Sequence, residues 1–205
     1  MGLDKAEGNS VKVWAVSGWW LPIGVFLPAL ILVIGGEAAS ADFRFDRVAI
    51  QAGEAWRLVT GHFVHLGGPH FTLNVAGLAL VWFLVGQAFD WRQWLLIIGV
   101  SIITMDLGLW LLNPGLDWYV GLSGLLHGIL AAGLVERLRR PDAETLVLAA
   151  LVLGKLAWEQ LSGPLPGSEG AAGGPVVVDA HLFGALGGVL AALALRIRVR
   201  ASAAI

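Results

Sequence analysis

The chain lacks cysteine and is poor in charged residues, and both shortages restrict what it can be. Without cysteine it has no disulfides and no thiol nucleophile, although the compartment stays open. Charged residues make up 14% of the 205 positions, against 57% for hydrophobic residues. A soluble domain of this length does not tolerate that balance, so the composition predicts a polytopic membrane protein. The sequence has no basic tract or aromatic–basic stripe, and we expect no nucleic-acid partner.

Six apolar runs divide the chain and predict a single all-α domain over residues 1–205. Backbone in lipid satisfies its hydrogen bonds within helices, so each run is predicted to be helical. Some runs are shorter than the roughly 20 residues that a full span requires. The first run precedes Ala39-Ser40-Ala41, which is similar to a signal-peptidase site, and we interpret this run as an uncleaved helix. The runs cover residues 19–34, 71–89, 94–112, 123–135, 145–161 and 180–195.

The positions of lysine and arginine predict the orientation of this six-helix membrane bundle. With six spans, one side holds the N-terminal segment 1–18, the turns at 90–93 and 136–142, and the tail 196–205. Because basic residues gather on the cytoplasmic side, both termini are predicted to be cytoplasmic. The opposite side carries Arg44, Arg47 and Arg57, and Lys155 falls within the fifth run. The basic residues of the first side are Lys5, Lys12, Arg92, Arg137, Arg139, Arg140, Arg196, Arg198 and Arg200.

The two long connections on the predicted outer side differ in character. Residues 36–69, the outer loop, mix charges with aromatic residues, which favours a partly structured element at the membrane interface. Residues 163–178, the outer flap, have little bulk and several Gly-Pro or Pro-Gly pairs that disfavour helix. We therefore predict that the outer flap is mobile.

Residues 121–128, Gly-Leu-Ser-Gly-Leu-Leu-His-Gly, open the fourth run and permit two interpretations. In one, Gly124 and Gly128 form a small-xxx-small face that lets membrane helices approach closely. In the other, Ser123 is a nucleophile, and Gly121 and Gly124 leave room for a substrate backbone and an oxyanion.

The depth of Ser123 favours the nucleophile. It precedes the charged cluster at 136–140 by about 13 residues, which is roughly 20 Å of helix. Since the hydrocarbon core is about 30 Å thick, Ser123 is expected some 10 Å below the outer surface. The preceding stretch 112–121, with Asn113-Pro114-Gly115, must then dip into the protein. Non-helical backbone at that depth is tolerated only around a buried or water-filled cavity.

His181 begins the sixth run, and a histidine inside a membrane helix is by default a functional residue. The alternative is a histidine that only hydrogen-bonds a backbone carbonyl. Gly184 and Gly188 follow it at i+3 and i+7, so this face suits close packing. Pressed against the helix of Ser123, it would bring an imidazole base to the hydroxyl. Asp179 could orient the ring, but helix geometry turns the two side chains apart, and we favour a Ser–His dyad.

His70 and Asn74 lie one helical turn apart at the outer end of the second run. Both can donate hydrogen bonds, as an oxyanion hole requires beside a backbone N–H near the nucleophile. Their alternative role is hydrogen bonding between helices. His127 lies one turn below Ser123 on the same face, where it either steadies Ser123 or His181 or packs inside the protein.

The remaining polar residues carry weaker predictions. His62 and His65 lie in the outer loop without a His-Glu-x-x-His motif or a convergent carboxylate, so we expect neither a metal nor another cofactor. His65 is predicted to brace the loop against the second helix. Asp106 lacks a good intramembrane partner for an aspartyl dyad, since Glu159 is at best a weak one. We expect Asp106 to pair with a polar neighbour.

These motifs resemble those of the rhomboid intramembrane serine proteases over residues 56–195. Trp56-Arg57 is similar to the Trp-Arg pair of the first rhomboid loop, and residues 70–74 are similar to the family's His-x-x-x-Asn. Residues 121–124 match the Gly-x-Ser-Gly of the nucleophile, and residues 180–184 match the Ala-His-x-x-Gly around the catalytic histidine. The resemblance implies a six-helix rhomboid-like bundle. It implies these roles: catalysis by Ser123 and His181, an oxyanion site of His70, Asn74 and Ser123, and support from Gly121, Gly124 and His127.

Within that family, residues 121–128 are similar to the rhombosortase branch, which has histidine at the position of His127 where many rhomboids have tyrosine. The resemblance implies a bacterial inner-membrane endopeptidase with its active site opening outward. Its implied partners are the lipid bilayer and anchored exported proteins that end in Gly-Gly, an apolar helix and a basic tail. The acyl-enzyme is left to react with water or with an amine.

Three other functions stay open at this point. The chain could be a general rhomboid protease that cuts other single-span proteins, or a non-catalytic rhomboid-like protein that binds membrane clients. Non-catalytic relatives usually lack the serine or the histidine of the dyad, and both are present here. A transporter or channel is disfavoured because the sequence has no inverted repeat and few intramembrane charges.

Overall fold

The computed structural model describes the backbone of residues 18–202 and the side chains of residues 18–197. Lys5, Lys12, Arg198 and Arg200, which contribute to the predicted orientation, have side chains outside that part. The regular secondary structure of the described residues is helical apart from two short strands. Its elements are α1 Trp20–Ile34, α2 Gly36–Phe43, β1 Phe45–Asp46, α3 Arg47–Gln51, α4 Arg57–Thr60, α5 Gly68–Val85, α6 Trp91–Leu111, β2 Trp118–Tyr119, α7 Ser123–Arg137, α8 Ala143–Ser162, α9 Ser168–Ala172 and α10 Val178–Ser202.

All six apolar runs form helices, as predicted, and these are α1, α5, α6, α7, α8 and α10. Four of them, α5, α6, α8 and α10, are long and apolar enough to cross a membrane. A fifth span results if α1 and α2, which meet at a bend of 118°, are taken together. The 15 residues of α7 extend only about 22 Å, less than a hydrocarbon core of about 30 Å. The bundle is that of a multi-pass membrane protein, while six spans and cytoplasmic termini stay predictions.

The short helix α7 is the buried centre of the bundle. It packs against α10, α6 and α5. A helix that is apolar on most of its surface is typical of such a buried position. By contrast, α8 is the least buried of the four span candidates and exposes large apolar side chains such as Leu151 and Leu153. The buried residues of α7 are Gly124, Leu125, Leu126, Gly128, Ile129, Ala131, Ala132, Gly133 and Leu134.

Four glycines bring α7 and α10 into backbone contact, and we call Gly124, Gly128, Gly184 and Gly188 the glycine seam. A Cβ added to Gly184 would collide with the carbonyl oxygen of Gly124, and one added to Gly188 with that of Gly128. Small residues at such an interface are what permits close helix approach in a membrane. The prediction that the His181 face presses against the Ser123 helix is therefore confirmed.

The outer loop, residues 36–69, is structured and is tied to the segment before Ser123. Its strand β1 pairs antiparallel with β2, with Phe45 opposite Tyr119. Arg57 is buried and donates hydrogen bonds to the carbonyl oxygens of Ala41 and Arg44 at 2.8 and 3.1 Å. These bonds hold the loop against itself, which confirms the prediction of a partly structured element.

The outer flap, residues 163–178, contains the five-residue helix α9. Gly167 and Gly173 flank it with φ angles of 81° and 76°, a left-handed conformation that glycine adopts readily. The Gly-Pro and Pro-Gly pairs lie outside α9 on both sides, consistent with their predicted effect on helix. α9 packs against α5, and the mobility of the flap stays a prediction.

Candidate active site

Ser123 and His181 are in hydrogen-bond contact. The Oγ atom of Ser123, the first residue of α7, lies 2.9 Å from Nε2 of His181 in the first turn of α10. Ser123 is partly exposed, whereas His181 is 5% exposed. The first backbone N–H groups of a helix have no partner inside it, so donors accompany the serine at the start of α7. A serine, an adjacent base and nearby hydrogen-bond donors are the parts that acyl transfer requires.

The end of the segment that leads into Ser123 is buried and braced. The prediction that residues 112–121 dip into the protein holds only for the end of the stretch: Tyr119 and Val120 are buried, whereas Leu112, Pro114, Gly115 and Asp117 are exposed. The Tyr119 hydroxyl donates to the carbonyl oxygen of Gly121 at 2.6 Å. Burial, together with the nearby Asp106 carboxylate, raises the pKa of Tyr119, so the hydroxyl stays a donor. Gly121 has a φ of +132°, a conformation that side chains other than hydrogen rarely permit.

Glu159 holds the other nitrogen of the histidine. Its Oε2 lies 3.0 Å from Nδ1 of His181, and its Oε1 accepts a hydrogen bond from Lys155 Nζ at 2.6 Å. Glu159 is 3% exposed, so this is a buried carboxylate with both oxygens bonded. From the sequence, Glu159 was expected at best as a weak partner of Asp106, and its contact with His181 was missed. The available signal was the Lys155–Glu159 pair, spaced i, i+4 inside an apolar run.

His127 packs face to face with the histidine of the Ser–His contact. The rings of His127 and His181 are stacked, with centroids 4.3 Å apart and planes 21° apart. Nδ1 of His127 lies 2.7 Å from the carbonyl oxygen of Ser123. An oxygen acceptor there requires the proton on Nδ1. The structure thus brings His127 to both Ser123 and His181, as one of its two predicted roles requires.

His70 reaches the site, and Asn74 lies behind it. The backbone N–H of Leu66 donates to Nδ1 of His70 at 3.3 Å, which leaves the ring proton on Nε2. A Cβ added to Gly121 would lie 3.2 Å from that nitrogen, so His70 Nε2–H faces the backbone just before Ser123. Asn74 is buried, and its Nδ2 donates to the carbonyl oxygen of His70 at 3.2 Å.

The weaker polar residues have partners away from the Ser–His contact. Asp106 Oδ1 lies 3.0 Å from His62 Nε2, which confirms that Asp106 pairs with a polar neighbour. Asp179 accepts a hydrogen bond from Asn113 at 2.7 Å, whereas Glu159 contacts the histidine.

His65 braces the outer loop against α5, as predicted. Its ring packs edge-on against His70 and Phe71 with centroids 5.1 and 5.5 Å away. Burial, with a smaller contribution from neighbouring His70, lowers the pKa of His65 to about 4. The ring is therefore neutral at physiological pH and packs as an apolar body.

The cluster of His127, Glu159 and His181 has ligand atoms within 4.8 Å of one another, close enough for a metal ion. Three features oppose this use. The lone pairs of stacked imidazoles lie in parallel planes and do not converge, and the His127 Nδ1 is committed to the Ser123 carbonyl. The ammonium of Lys155 also supplies a positive charge at the carboxylate already. We therefore propose no metal at this cluster.

A helical membrane bundle with a part-buried Ser–His contact has the layout of an intramembrane hydrolase. The family model of the Rhomboid domain matches residues 52–198, which include α5 to α8 and the residues Ser123, Glu159 and His181. No curated protein matches the chain. The chain belongs to the rhomboid family, and this membership supports an intramembrane protease-type function in a multi-pass membrane protein.

Proposed function

We propose that the protein is an intramembrane serine endopeptidase in which Ser123 is the nucleophile and His181 the general base. The observation that carries this proposal is the 2.9 Å contact between Ser123 Oγ and His181 Nε2. A serine hydroxyl is a weak nucleophile on its own and needs such a base.

The reaction proceeds through an acyl-enzyme. Ser123 Oγ attacks the scissile carbonyl carbon while its proton moves to His181 Nε2, and the carbonyl electron pair moves onto the oxygen. When the tetrahedral intermediate collapses, the C–N bond breaks and His181 returns the proton to the leaving amine nitrogen. The acyl group is then released to water or to an amine acceptor, and the mass of the product distinguishes these two.

The oxyanion is held by donors from two helices. The His70 Nε2–H faces the backbone before Ser123, and the first N–H groups of α7 lie beside the nucleophile. These donors are fixed before the reaction, which is what makes oxyanion stabilisation effective. Asn74 contributes its second amide hydrogen or acts through the His70 carbonyl that it already bonds.

We propose the rhombosortase branch for the substrate class. The resemblance of residues 121–128 supports it, as does the use of His127, rather than a tyrosine, against His181. The substrate is then an exported protein with a C-terminal Gly-Gly, an apolar helix and a basic tail. A Gly-Gly at the entrance of that helix is easily held extended, since each glycine destabilises helix by about 1 kcal/mol. In this proposal the enzyme lies in the bacterial inner membrane and opens outward.

The nucleophile is tested with a fluorophosphonate probe and a cleavable membrane reporter. Wild type is expected to cleave the reporter and to be labelled at Ser123, whereas Ser123→Ala and His181→Ala lose both activities. Because the pair acts as a unit, the double variant should be no worse than either single variant. Ser101→Ala, which changes a buried serine of neighbouring α6, is the matched control and should keep both activities. Cleavage by Ser123→Ala would overturn the proposal.

The substrate class is tested separately with the reporter. A tail of Gly-Gly, apolar helix and basic residues should be cleaved at or beside the Gly-Gly. Replacing both glycines by Leu should block cleavage, whereas reordering the deeper apolar residues should matter little. Equal cleavage of the Leu-Leu reporter would remove the rhombosortase assignment and leave the broader protease proposal standing.

A further inference from the structure

The carboxylate of Glu159 completes a chain of contacts that begins at the proposed nucleophile. Ser123 Oγ, His181 Nε2, His181 Nδ1 and Glu159 Oε2 follow one another with contacts of 2.9 Å and 3.0 Å across the imidazole. We propose that Glu159 is a positioning residue that orients His181, so that a Ser–His–Glu triad replaces the dyad expected from the sequence. This inference rests on the proposed protease function.

The position of the imidazole proton follows from these contacts. To accept the serine proton, His181 Nε2 must present its lone pair to Ser123 Oγ, so the ring proton must be on Nδ1. A carboxylate offers only acceptors, and Glu159 Oε2 therefore selects the tautomer with Nδ1–H. Without an acceptor at this place, the imidazole would divide between two tautomers, one of which cannot act as a base.

Lys155 determines how Glu159 is used. Its ammonium lies 2.6 Å from Oε1 of the carboxylate, so the other oxygen, Oε2, is left for His181. The same ammonium lies 3.4 Å from Nδ1 of His181. When His181 takes up the serine proton and becomes an imidazolium, Glu159 stabilises that charge and Lys155 opposes it. The two residues of one ion pair thus act on the base in opposite directions.

Other titratable groups around the histidine cannot take over this role. From α7, His127 stacks on the ring face and does not bond Nδ1 of His181. From α5, His70 faces the site as a neutral donor. On α10 itself, Asp179 is bonded to Asn113. Among the described residues, the groups within hydrogen-bond reach of Nδ1 are Glu159 and Lys155, and only Glu159 can accept.

The structural alternative is that Glu159 only fastens α8 to α10, as an interhelical hydrogen bond does in many membrane bundles. The two roles separate in Glu159→Gln. In this variant the Lys155 ammonium, a pure donor, holds the amide oxygen and turns the amide nitrogen toward His181. An N–H then faces Nδ1, which must become an acceptor, so the ring proton moves to Nε2 and the base is lost. We expect kcat/KM and fluorophosphonate labelling to fall by about 10²–10⁴-fold, as for other triads that lose their carboxylate.

A double variant tests whether the tautomer of His181 depends on Glu159. In Glu159→Gln with Lys155→Met, nothing holds the amide oxygen, and the amide can rotate to accept from Nδ1–H. The double variant should therefore be more active than Glu159→Gln alone, by about tenfold or more, since the correct tautomer is again populated. If α8 is merely fastened, removing a second polar contact should lower activity further, and that result would overturn the inference.

The pH profile gives an independent readout. His181 acts as a base only when it is neutral, so activity falls on the acid side as the ring takes up a proton. Removing the ammonium in Lys155→Met should move this acid limb to higher pH, because the imidazolium loses a repelling neighbour. Removing the carboxylate charge in Glu159→Gln should move it to lower pH. A carboxylate that fastened α8 without acting on His181 would leave the limb where it is, so unmoved limbs in both variants would also overturn the inference.

Two controls separate the possible failures. Glu144→Gln changes an exposed glutamate of the same helix and should leave activity, labelling and pH profile unchanged. If Glu159→Gln cleaves and is labelled like wild type while Ser123→Ala does neither, the protease proposal stands and this inference falls. If Glu159→Gln shows no cooperative thermal transition in detergent, Lys155→Met alone decides, through the direction in which its acid limb moves.

Discussion

The two helices that complete the site are attached to α7 in opposite ways. α10 meets α7 backbone to backbone along the glycine seam, whereas α8 is the least buried span and reaches the site through Glu159 and Lys155. An apolar cleft of about 400 Å³ separates much of α8 from α7 and α10. Lipid is as apolar as leucine, so close packing and polar contacts hold membrane helices together rather than apolar burial.

This difference divides the site into a fixed part and a movable part. Ser123 and His181 lie at the top of the glycine seam, where neither helix can shift without breaking backbone contacts. Glu159 is carried by α8, the least buried of the span helices, and its carboxylate joins α8 to His181 beside the small apolar contact of Leu156 with Ala131 and Ala185. In the proposed mechanism the base and nucleophile are thus preorganised, whereas the group proposed to orient the base depends on α8 being docked.

The largest effect is expected from breaking the glycine seam. In Gly188→Val the new side chain would collide with the Gly128 carbonyl, and backbone rather than a flexible side chain must give way. Overpacking of this kind costs about 1–3 kcal/mol and often more, so we expect a lower melting temperature in detergent and loss of labelling. Gly154→Val on α8, where a Cβ meets nothing within 4 Å, is the matched control and should melt like wild type. If the two variants melted alike, the seam would not be what fixes α10.

The next largest effect concerns the proposed oxyanion donors. His70→Ala should lower kcat by the roughly 10²–10³-fold typical of one lost donor, with KM little changed. Asn74→Ala should lower kcat less, because the Asn74 amide already donates to the His70 carbonyl. Thr72→Ala, on the exposed face of the same helix, is the control and should be neutral. If both variants changed KM alone, His70 and Asn74 would dock substrate instead.

Sequence patterns predicted the fixed part of the site well. The glycines that follow Ser123 and His181 are spaced so that they lie on one face of each helix. This spacing alone predicted that the two helices pack closely against each other. The pairing of Asp106 with a polar neighbour and the bracing role of His65 followed from the cost of isolated polar groups.

The movable part could not be predicted in the same way. The contact of Glu159 with His181 joins residues 22 positions apart on two helices, and it depends on the rotation of α8 about its axis. α8 has no row of glycines on one face that would fix its rotation. The i, i+4 pair of Lys155 and Glu159 therefore indicated a polar face on α8 but not which residue that face contacts. The two-residue strands β1 and β2 were equally hidden, because each depends on a partner about 70 positions away.

Tethering the outer flap tests whether substrate enters on the side of the movable helix α8. Gly174 lies against Leu66, and a Cβ at Gly174 would be 3.8 Å from Leu66 Cγ, so the pair Leu66→Cys and Gly174→Cys is placed to form a disulfide. The natural chain has no cysteine to compete. If substrate enters past the outer flap and α8, the oxidised variant should cleave the membrane reporter more slowly and recover on reduction. Labelling by the small fluorophosphonate should persist in both forms, and an unaffected cleavage rate would place the entrance elsewhere.

The smallest effect at neutral pH is expected from His65, which packs the outer loop against α5. Its pKa of about 4 in the folded protein lies below the ordinary value of about 6.5. Between these two pH values the unfolded chain binds a proton that the folded chain does not, so the free energy of unfolding should fall as the pH falls through this window. The contribution is on the order of 1–3 kcal/mol and is absent above about pH 7. His65→Gln should therefore lose less stability than wild type on acidification from pH 8 to pH 5, on top of an equal loss of packing at both pH values. Parallel acid dependence of the two melting temperatures would show that another group, such as His70, is responsible.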